Sequence, residues 1–374
     1  MRALSGLNIG YLTLQSAAQG QAAHAHVHEI VNGLRELGAW VDLYDVRYDE
    51  SRTPSVVERL REFGRVQNEL AASLDRYDVI YVRGHPFALP TTRRAVAAGT
   101  PVIVEQNGMT ADFFIAWPRS RAFAPLIRAA TTWQFKRASA VIVGSPGLAS
   151  WVLLDSGVHA DVIPNGVDID LFRPLGEIAR GPVEDYALFF GALSPWQGIG
   201  TSIEAMGRPG WPEGVSLVVA GDGVERDAVV AAAKRDSRVI ALGGIRHEEV
   251  PALVSAARVS LVNKEAREFA SAGISPLKLY ESMACATPVI ATYSMPGLTD
   301  VVEEVGCGLL VEQRDPDALA QAVAAIVADP QEARAMGERG RAYVLDHATW
   351  ELRARDTAGV IRRVLGRYVE SVDG

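Results

Sequence analysis

The sequence predicts an α/β protein of two doubly wound halves, each a largely parallel sheet with helices on both faces. Three observations carry that expectation. The chain has 374 residues, enough for two domains with separate cores. Short β-branched runs alternate with amphipathic helical stretches through both halves, which is the βαβ signature of an open parallel sheet. Between the halves, "VIPNGVDIDLFRPLGEIARGPVED" is rich in turn residues and irregular in pattern, and marks the linker.

Taken in order, "LNIGYLTL" is the first strand, and "QAAHAHVHEIVNGLRELG" is an amphipathic helix that ends near Gly38. "WVDLYD", "YDVIYVR", "PVIVEQ" and "SAVIVGS" are the further strands of the first half. The second series runs through "YALFFGALS", "VSLVVAGDG", "RVIALGG", "RVSLVNK", "TPVIAT" and "CGLLVE". The closing "TWELRARDTAGVIRRVLGRYVES" is a long amphipathic helix with no strand after it. The expected division is a first domain over 1–170 and a second over 185–348, with a C-terminal helix over 349–371 that packs back on the first. Ligand contacts are expected at the carboxyl ends of the strands in each half.

Composition narrows the class. Hydrophobic residues make up 48% and charged residues 22%, which suits a globular chain rather than a disordered one. A net charge of −8 argues against wholesale binding to nucleic acid. The two cysteines, Cys285 and Cys307, form no C-x-x-C pair, so a disulfide framework or structural zinc site is not expected. No apolar run approaches a membrane span and the N-terminus has no signal-peptide core, so the expected location is cytoplasmic.

The stretch "SAGISPLKLYESMACATPVIA" reads as a loop, a helix and a buried strand in quick succession. Pro276 has the fixed φ suited to a first helical turn, and Ser275 can cap it. A helix N-terminus entered through such a loop offers free amides to an anion, and Glu281 follows Lys278 by about one turn. After the first strand, Gly20 precedes a helix and allows close backbone approach to a ligand, or forms a plain strand-to-helix turn. His24, His26 and His28 invite a metal reading. His24 and His28 lie one turn apart, but no H-E-x-x-H and no third ligand accompany them, so a polar helix face lining a cleft is expected and no metal site.

"IPNGVD", "FFGALSPWQG", "VAGDG", "SPLKLYESMACATPVIA" and "CGLLVEQRDPDALAQAV" occur in the order found in family 4 glycosyltransferases, and over nearly its whole length the chain resembles that family. The resemblance implies the GT-B fold, two Rossmann-like domains facing a cleft, with the donor on the second and the acceptor on the first. It implies transfer of a sugar from a nucleoside diphosphate sugar, UDP by family frequency, to a hydroxyl-type acceptor (a small molecule, a glycan or a lipid-linked molecule). Configuration would be retained and neither metal nor cofactor required. By the same resemblance Gly273, Ile274, Ser275, Pro276 and Leu277 hold the donor diphosphate, Glu281 accepts from the ribose hydroxyls, and Gly191 and Ala192 line the donor site.

Two departures stand out. The family often has an acidic residue eight positions before Glu281, where this chain has Gly273, and many members have G-R-L-x-x-x-K-G where this chain reads "GALSPWQG". Ala192 and Gln197 thus replace two cations that meet the diphosphate, and Lys278, Lys264 and Arg267 are the candidates to succeed them, Lys278 first, with Arg83 of the first domain as the competing source of the charge. In the first domain Asn107, with Gly108, falls where family members place a residue near the reacting sugar, and also suits a simple Asn-Gly turn. Arg83 and His85 stand at another strand end, and His85 joins Asn107 and Lys278 as a catalytic candidate. Residues 118–138 carry Arg119, Arg121, Arg128, Lys136 and Arg137, no acid, and several large apolar residues. That segment suits a solvated helix packed by its apolar side, or peripheral docking on an anionic membrane or acceptor. Two competing readings share the fold: an enzyme coupling an activated cyclitol, and a non-catalytic partner subunit.

Overall fold

The computed structural model describes residues 3–15, 22–48, 54–176, 181–265 and 275–372. Gly20, Arg267, Gly273 and Ile274 lie outside the described residues. The chain divides into two compact units, one of Met1–Asn165 with Trp350–Gly374 and the other of Gly166–Thr349.

The first unit contains β1 (Asn8–Thr13), α1 (Ala22–Glu36), β2 (Trp40–Asp45), α2 (Val56–Ala71), β3 (Val79–Arg83), α3 (Leu89–Ala98), β4 (Val102–Gln106), α4 (Thr110–Ala116), α5 (Ala124–Arg137), β5 (Ala140–Val143), α6 (Pro146–Ser156) and β6 (Asp161–Val162). Its sheet has the order β2-β1-β3-β4-β5-β6, and the pairings are parallel. Every residue of β3 is buried, as a strand covered on both faces requires. The strand order reverses between β1 and β3, where such sheets bind ligands beyond the carboxyl ends. β6 is a two-residue strand, too short to leave a periodic signal in the sequence.

The second unit contains β7 (Tyr186–Phe190), α7 (Ile199–Met206), β8 (Ser216–Ala220), α8 (Arg226–Arg235), β9 (Val239–Gly243), α9 (Val250–Ala256), β10 (Val259–Val262), α10 (Leu277–Ala284), β11 (Val289–Thr292), α11 (Thr299–Val305), β12 (Gly308–Val311), α12 (Pro316–Ala328) and α13 (Pro330–His347). Its parallel sheet has the order β12-β11-β10-β7-β8-β9, so the reversal falls between β7 and β10. The β7 side chains alternate between two cores: Tyr186, Leu188 and Phe190 pack on one face, Ala187 and Phe189 on the other. This is why "YALFF" reads as an unbroken apolar run. The last helix, α14 (Trp350–Val372), belongs to the first unit and lies against α1. Gly33 of α1 permits that close approach, since a Cβ there would collide with the Cβ of Ala354.

Candidate functional site

In the second unit the loops after β7 and β10 meet at the strand-order reversal. The amide of Glu265 donates to the carbonyl of Trp196 at 3.0 Å, tying the two loops together. Lys264 is pinned to β11: its amide donates to Thr292 Oγ1 at 3.0 Å, and that hydroxyl donates to the Lys264 carbonyl at 2.8 Å. Two ammonium groups then converge on one oxygen. Lys264 Nζ and Lys278 Nζ donate to Gln197 Oε1 at 2.5 and 3.1 Å. Lys278 also lies over the ring of Phe189, 4.3 Å from its centroid.

Gly191 makes room for this arrangement. Its φ is +97°, and a Cβ there would stand 2.6 Å from Lys278 Cε. Ala192 is exposed beside it. The sequence expectation for the start of α10 needs correction. Pro276, with φ −81° and ψ 116°, is the extended residue flanking the helix rather than its first member. The first helical residue is Leu277, so Lys278 sits in the first turn, where the leading amides lack helical partners. Ser275 is half-buried just upstream.

Charge in this pocket is costly. Burial, reinforced by the neighbouring Lys264, holds Lys278 well below the usual lysine pKa, with Glu281 opposing. Burial brings Lys264 down to about 8. Burial pushes Glu281 up to about 7 against the pull of Lys278. An incoming polyanion would offset the repulsion between the two lysines and favour their charged forms. Lys264 and Gln197 form the pair that the sequence alone did not single out as partners; the signal available was the exchange of a cation for glutamine at position 197.

The first unit assembles a different group around Glu105, at the end of β4. His26 Nε2, Arg83 Nη1 and Asn107 Nδ2 lie 2.6, 3.1 and 2.5 Å from its Oε1, and the Tyr81 hydroxyl donates to Oε2 at 2.7 Å. Arg83 Nε also donates to Gln15 Oε1 at 2.8 Å, across the β1/β3 reversal. Burial alone would raise the Glu105 pKa, but His26, Arg83 and Asn107 outweigh it and hold the carboxyl well below its usual range. Two expectations are corrected here. His26 is no part of an open polar face: it is buried, with Nδ1 2.8 Å from Asn165 Oδ1 and its ring edge-on to Trp350. Arg83 is likewise buried in its ion pair rather than presented as a free cation. The side chain of His24 lies outside the described residues.

His85 sits among Phe63, Phe87 and Phe113, with ring centroids 5.2–5.7 Å away. Its Nδ1 accepts from the amide of Phe87 at 3.2 Å, and burial lowers its pKa to about 4. A neutral ring with one nitrogen committed to a turn caps the Pro86–Ala88 segment. Asn107, by contrast, is exposed. Among the described residues no group of three or more His, Cys, Asp or Glu could hold a metal ion, and no helix is long and apolar enough to cross a membrane.

Each unit is a Rossmann-like parallel α/β sheet, and the second brings Lys264 and Lys278 together at its topological switch point. Residues 23–171 match the family described as Glycosyltransferase Family 4, and residues 178–343 match Glycosyl transferases group 1. The chain belongs to the family 4 glycosyltransferases and has their GT-B fold. It is 29% identical over 270 residues to a 2-deoxystreptamine glucosyltransferase of Streptomyces kanamyceticus, covering 65% of each chain. It is 28% identical over 208 residues to a D-inositol 3-phosphate glycosyltransferase of Segniliparus rotundus, covering 52% of this chain and 44% of that one. The chain thus spans between 44% and 65% of the length of these two curated relatives. Among solved structures, a sucrose-phosphate synthase from Thermosynechococcus elongatus superposes with a TM-score of 0.76 at 21% identity, covering 96% of this chain and all of that one. Anabaena Alr3699/HepE in complex with UDP and glucose gives 0.71 at 18%, covering 95% and 99%.

Proposed function

We propose that the protein is a glycosyltransferase that moves a sugar from a nucleoside diphosphate sugar, UDP before other bases, to a hydroxyl acceptor, retaining the anomeric configuration and needing no metal. The observation that carries this reading is the convergence of Lys264 and Lys278 on Gln197 at the start of α10, with Glu281 one turn on. In the reaction the bond from the anomeric carbon to the diphosphate breaks, its electron pair stays on phosphate, and the acceptor oxygen bonds to the carbon. The acceptor proton goes to the departing phosphate. Charge therefore develops on the leaving group, where two ammoniums supply what a divalent ion supplies elsewhere. Glu281, as a carboxylate, accepts from both hydroxyls of the ribose diol. UDP is favoured by the Alr3699/HepE complexes with UDP and UDP-glucose.

The acceptor class suggested by the named relatives is a polyhydroxylated ring, such as 2-deoxystreptamine or an inositol phosphate. Phe123 and Leu126 are 61% and 69% exposed at the start of α5, flanked by exposed Arg121 and Arg128, and this favours contact with an anionic membrane surface. The test is a thermal-shift screen of UDP-, GDP- and ADP-sugars, followed by product analysis with those two acceptors. Stabilisation by a sugar nucleotide and a glycosylated product are expected. Failure of all three nucleotides to bind would end the reading.

A further inference from the structure

Glu105 is buried to 2% exposure, as are its partners His26, Arg83 and Tyr81 to 6, 5 and 1%. A buried ionised network of this kind costs desolvation, and removal of a partner leaves an uncompensated charge. Its geometry is nevertheless over-determined. Two donors meet a single carboxylate oxygen, Arg83 from β3 and Asn107 from the loop after β4, and His26 Nε2 of α1 lies 2.6 Å from the same oxygen. Of the three side chains only Asn107 reaches the surface.

A carboxylate can only accept, so the amide nitrogen of Asn107 must face Glu105 and its carbonyl oxygen is left for another partner. The loop is braced as well. Gln106 Nε2 donates to the carbonyl of Gly108 at 2.5 Å, and Gly84 donates its amide to the Glu105 carbonyl at 2.7 Å. A side chain at Gly84 would collide with Gln106.

Resting on the transferase reading above, we propose that Glu105 is a positioning residue: it fixes the amide of Asn107 so that the Asn107 oxygen is presented as a hydrogen-bond acceptor to a hydroxyl of the reacting sugars. His26 and Arg83 hold Glu105, Glu105 holds Asn107, and Asn107 touches substrate. Loss of the tether lets the amide rotate, and a misplacement of about 1 Å can cost ~10²-fold in rate.

The experiment uses the full chain and follows release of UDP from UDP-glucose with water as acceptor. Asn107→Asp keeps an acceptor oxygen but loses the donor to Glu105, and Glu105→Leu removes the fixed acceptor; each is expected to lower kcat by about ten- to a hundred-fold with little change in KM. Glu105→Gln keeps a carbonyl oxygen where Oε1 accepts from Asn107, so it should stay within about tenfold of wild type. Because Asn107→Asp and Glu105→Leu break the same tether, the double variant should lose no more than the worse single one. A carboxylate that only stabilises the fold would give losses that multiply. Should Glu105→Leu fail to fold, Asn107→Asp against wild type still decides. Losses that multiply in the double variant, or an Asn107→Asp enzyme with wild-type turnover, overturn the proposal. A wild-type protein that turns over none of UDP-, GDP- and ADP-glucose would instead sink the transferase reading. The positioning then rests on the Asn107 side-chain amide resonances, expected downfield and slow to exchange in wild type; free-amide positions there would overturn it too.

Discussion

Affinity for a sugar nucleotide should pass through a maximum between pH 7 and 8, because two groups of the second-unit pocket titrate on either side of it. Lys264 has its pKa lowered to about 8 by burial, so its ammonium is lost as pH rises through that value, and with it attraction for a diphosphate. Glu281 has its pKa raised to about 7 by burial, so the carboxylate that accepts from the ribose is lost as pH falls through that value. One unit beyond either pKa only about one molecule in eleven keeps the binding-competent form, which predicts roughly tenfold weaker binding near pH 6 and near pH 9. UDP-glucose is the suitable titrant, because a diphosphate diester has no ionisation of its own in this range. Calorimetry across pH 6–9 reads the profile, and buffers of differing ionisation enthalpy read proton uptake on the alkaline limb. Lys264→Met should flatten the alkaline limb alone, and Glu281→Gln the acid limb alone. A profile flat across the range, or limbs indifferent to both substitutions, would refute the reasoning.

Lys278→Ala should lower kcat and kcat/KM together by ~10²–10³ with little change in KM, because the charge on the diphosphate grows as the bond breaks; a variant with normal kcat in steady-state kinetics would remove Lys278 from the chemistry. Transfer should survive EDTA undiminished, and loss of activity with rescue by Mg²⁺ or Mn²⁺ would show that the lysines are not the diphosphate's counter-charge. Phe123→Ser/Leu126→Ser should weaken co-sedimentation with vesicles of anionic lipid while leaving sugar-nucleotide binding unchanged; equal sedimentation would place these side chains outside any membrane contact.

The sequence displayed what periodicity can display. Strands such as "YALFF" and "VIYVR" are read directly from their unbroken apolar character, because helices on both sides of a parallel sheet leave no solvent face. It also displayed α10, since an apolar stripe and a preceding proline are local features, though the role of Pro276 shifted by one position. Glu105 was hidden for the opposite reason. Its partners stand 79, 22 and 2 positions away in the chain, and no local pattern joins His26 to Arg83 or to Asn107. The one available hint was a carboxylate inside "PVIVEQ", a strand otherwise too apolar to tolerate an unpaired charge. His85 misled because a histidine at a strand end suggests acid–base chemistry, whereas its aromatic neighbours keep it uncharged.

The glutamine at position 197, one of the two residues that stand where the resemblance implies cations, has a local reason once side chains are placed. A lysine at position 197 would set a third ammonium against Lys264 and Lys278, where burial already depresses both. A glutamine supplies an oxygen instead, and its carboxamide accepts from both neighbours where a phosphate oxygen could later replace it. Lys278 fills the space beside Gly191, whose φ of +97° and missing Cβ let its stem pass; the alanine at position 192 has no structural explanation. In this chain the positive charge at the switch point stands in the loop after β10 and in the first turn of α10. Introducing a lysine at position 197 alone should then harm the site. Gln197→Lys alone is expected to weaken UDP-glucose binding through repulsion, and Gln197→Lys with Lys264→Gln to restore it, since the pair exchanges which loop carries the cation. Tighter binding by the single Gln197→Lys variant would mean that the pocket was short of charge after all.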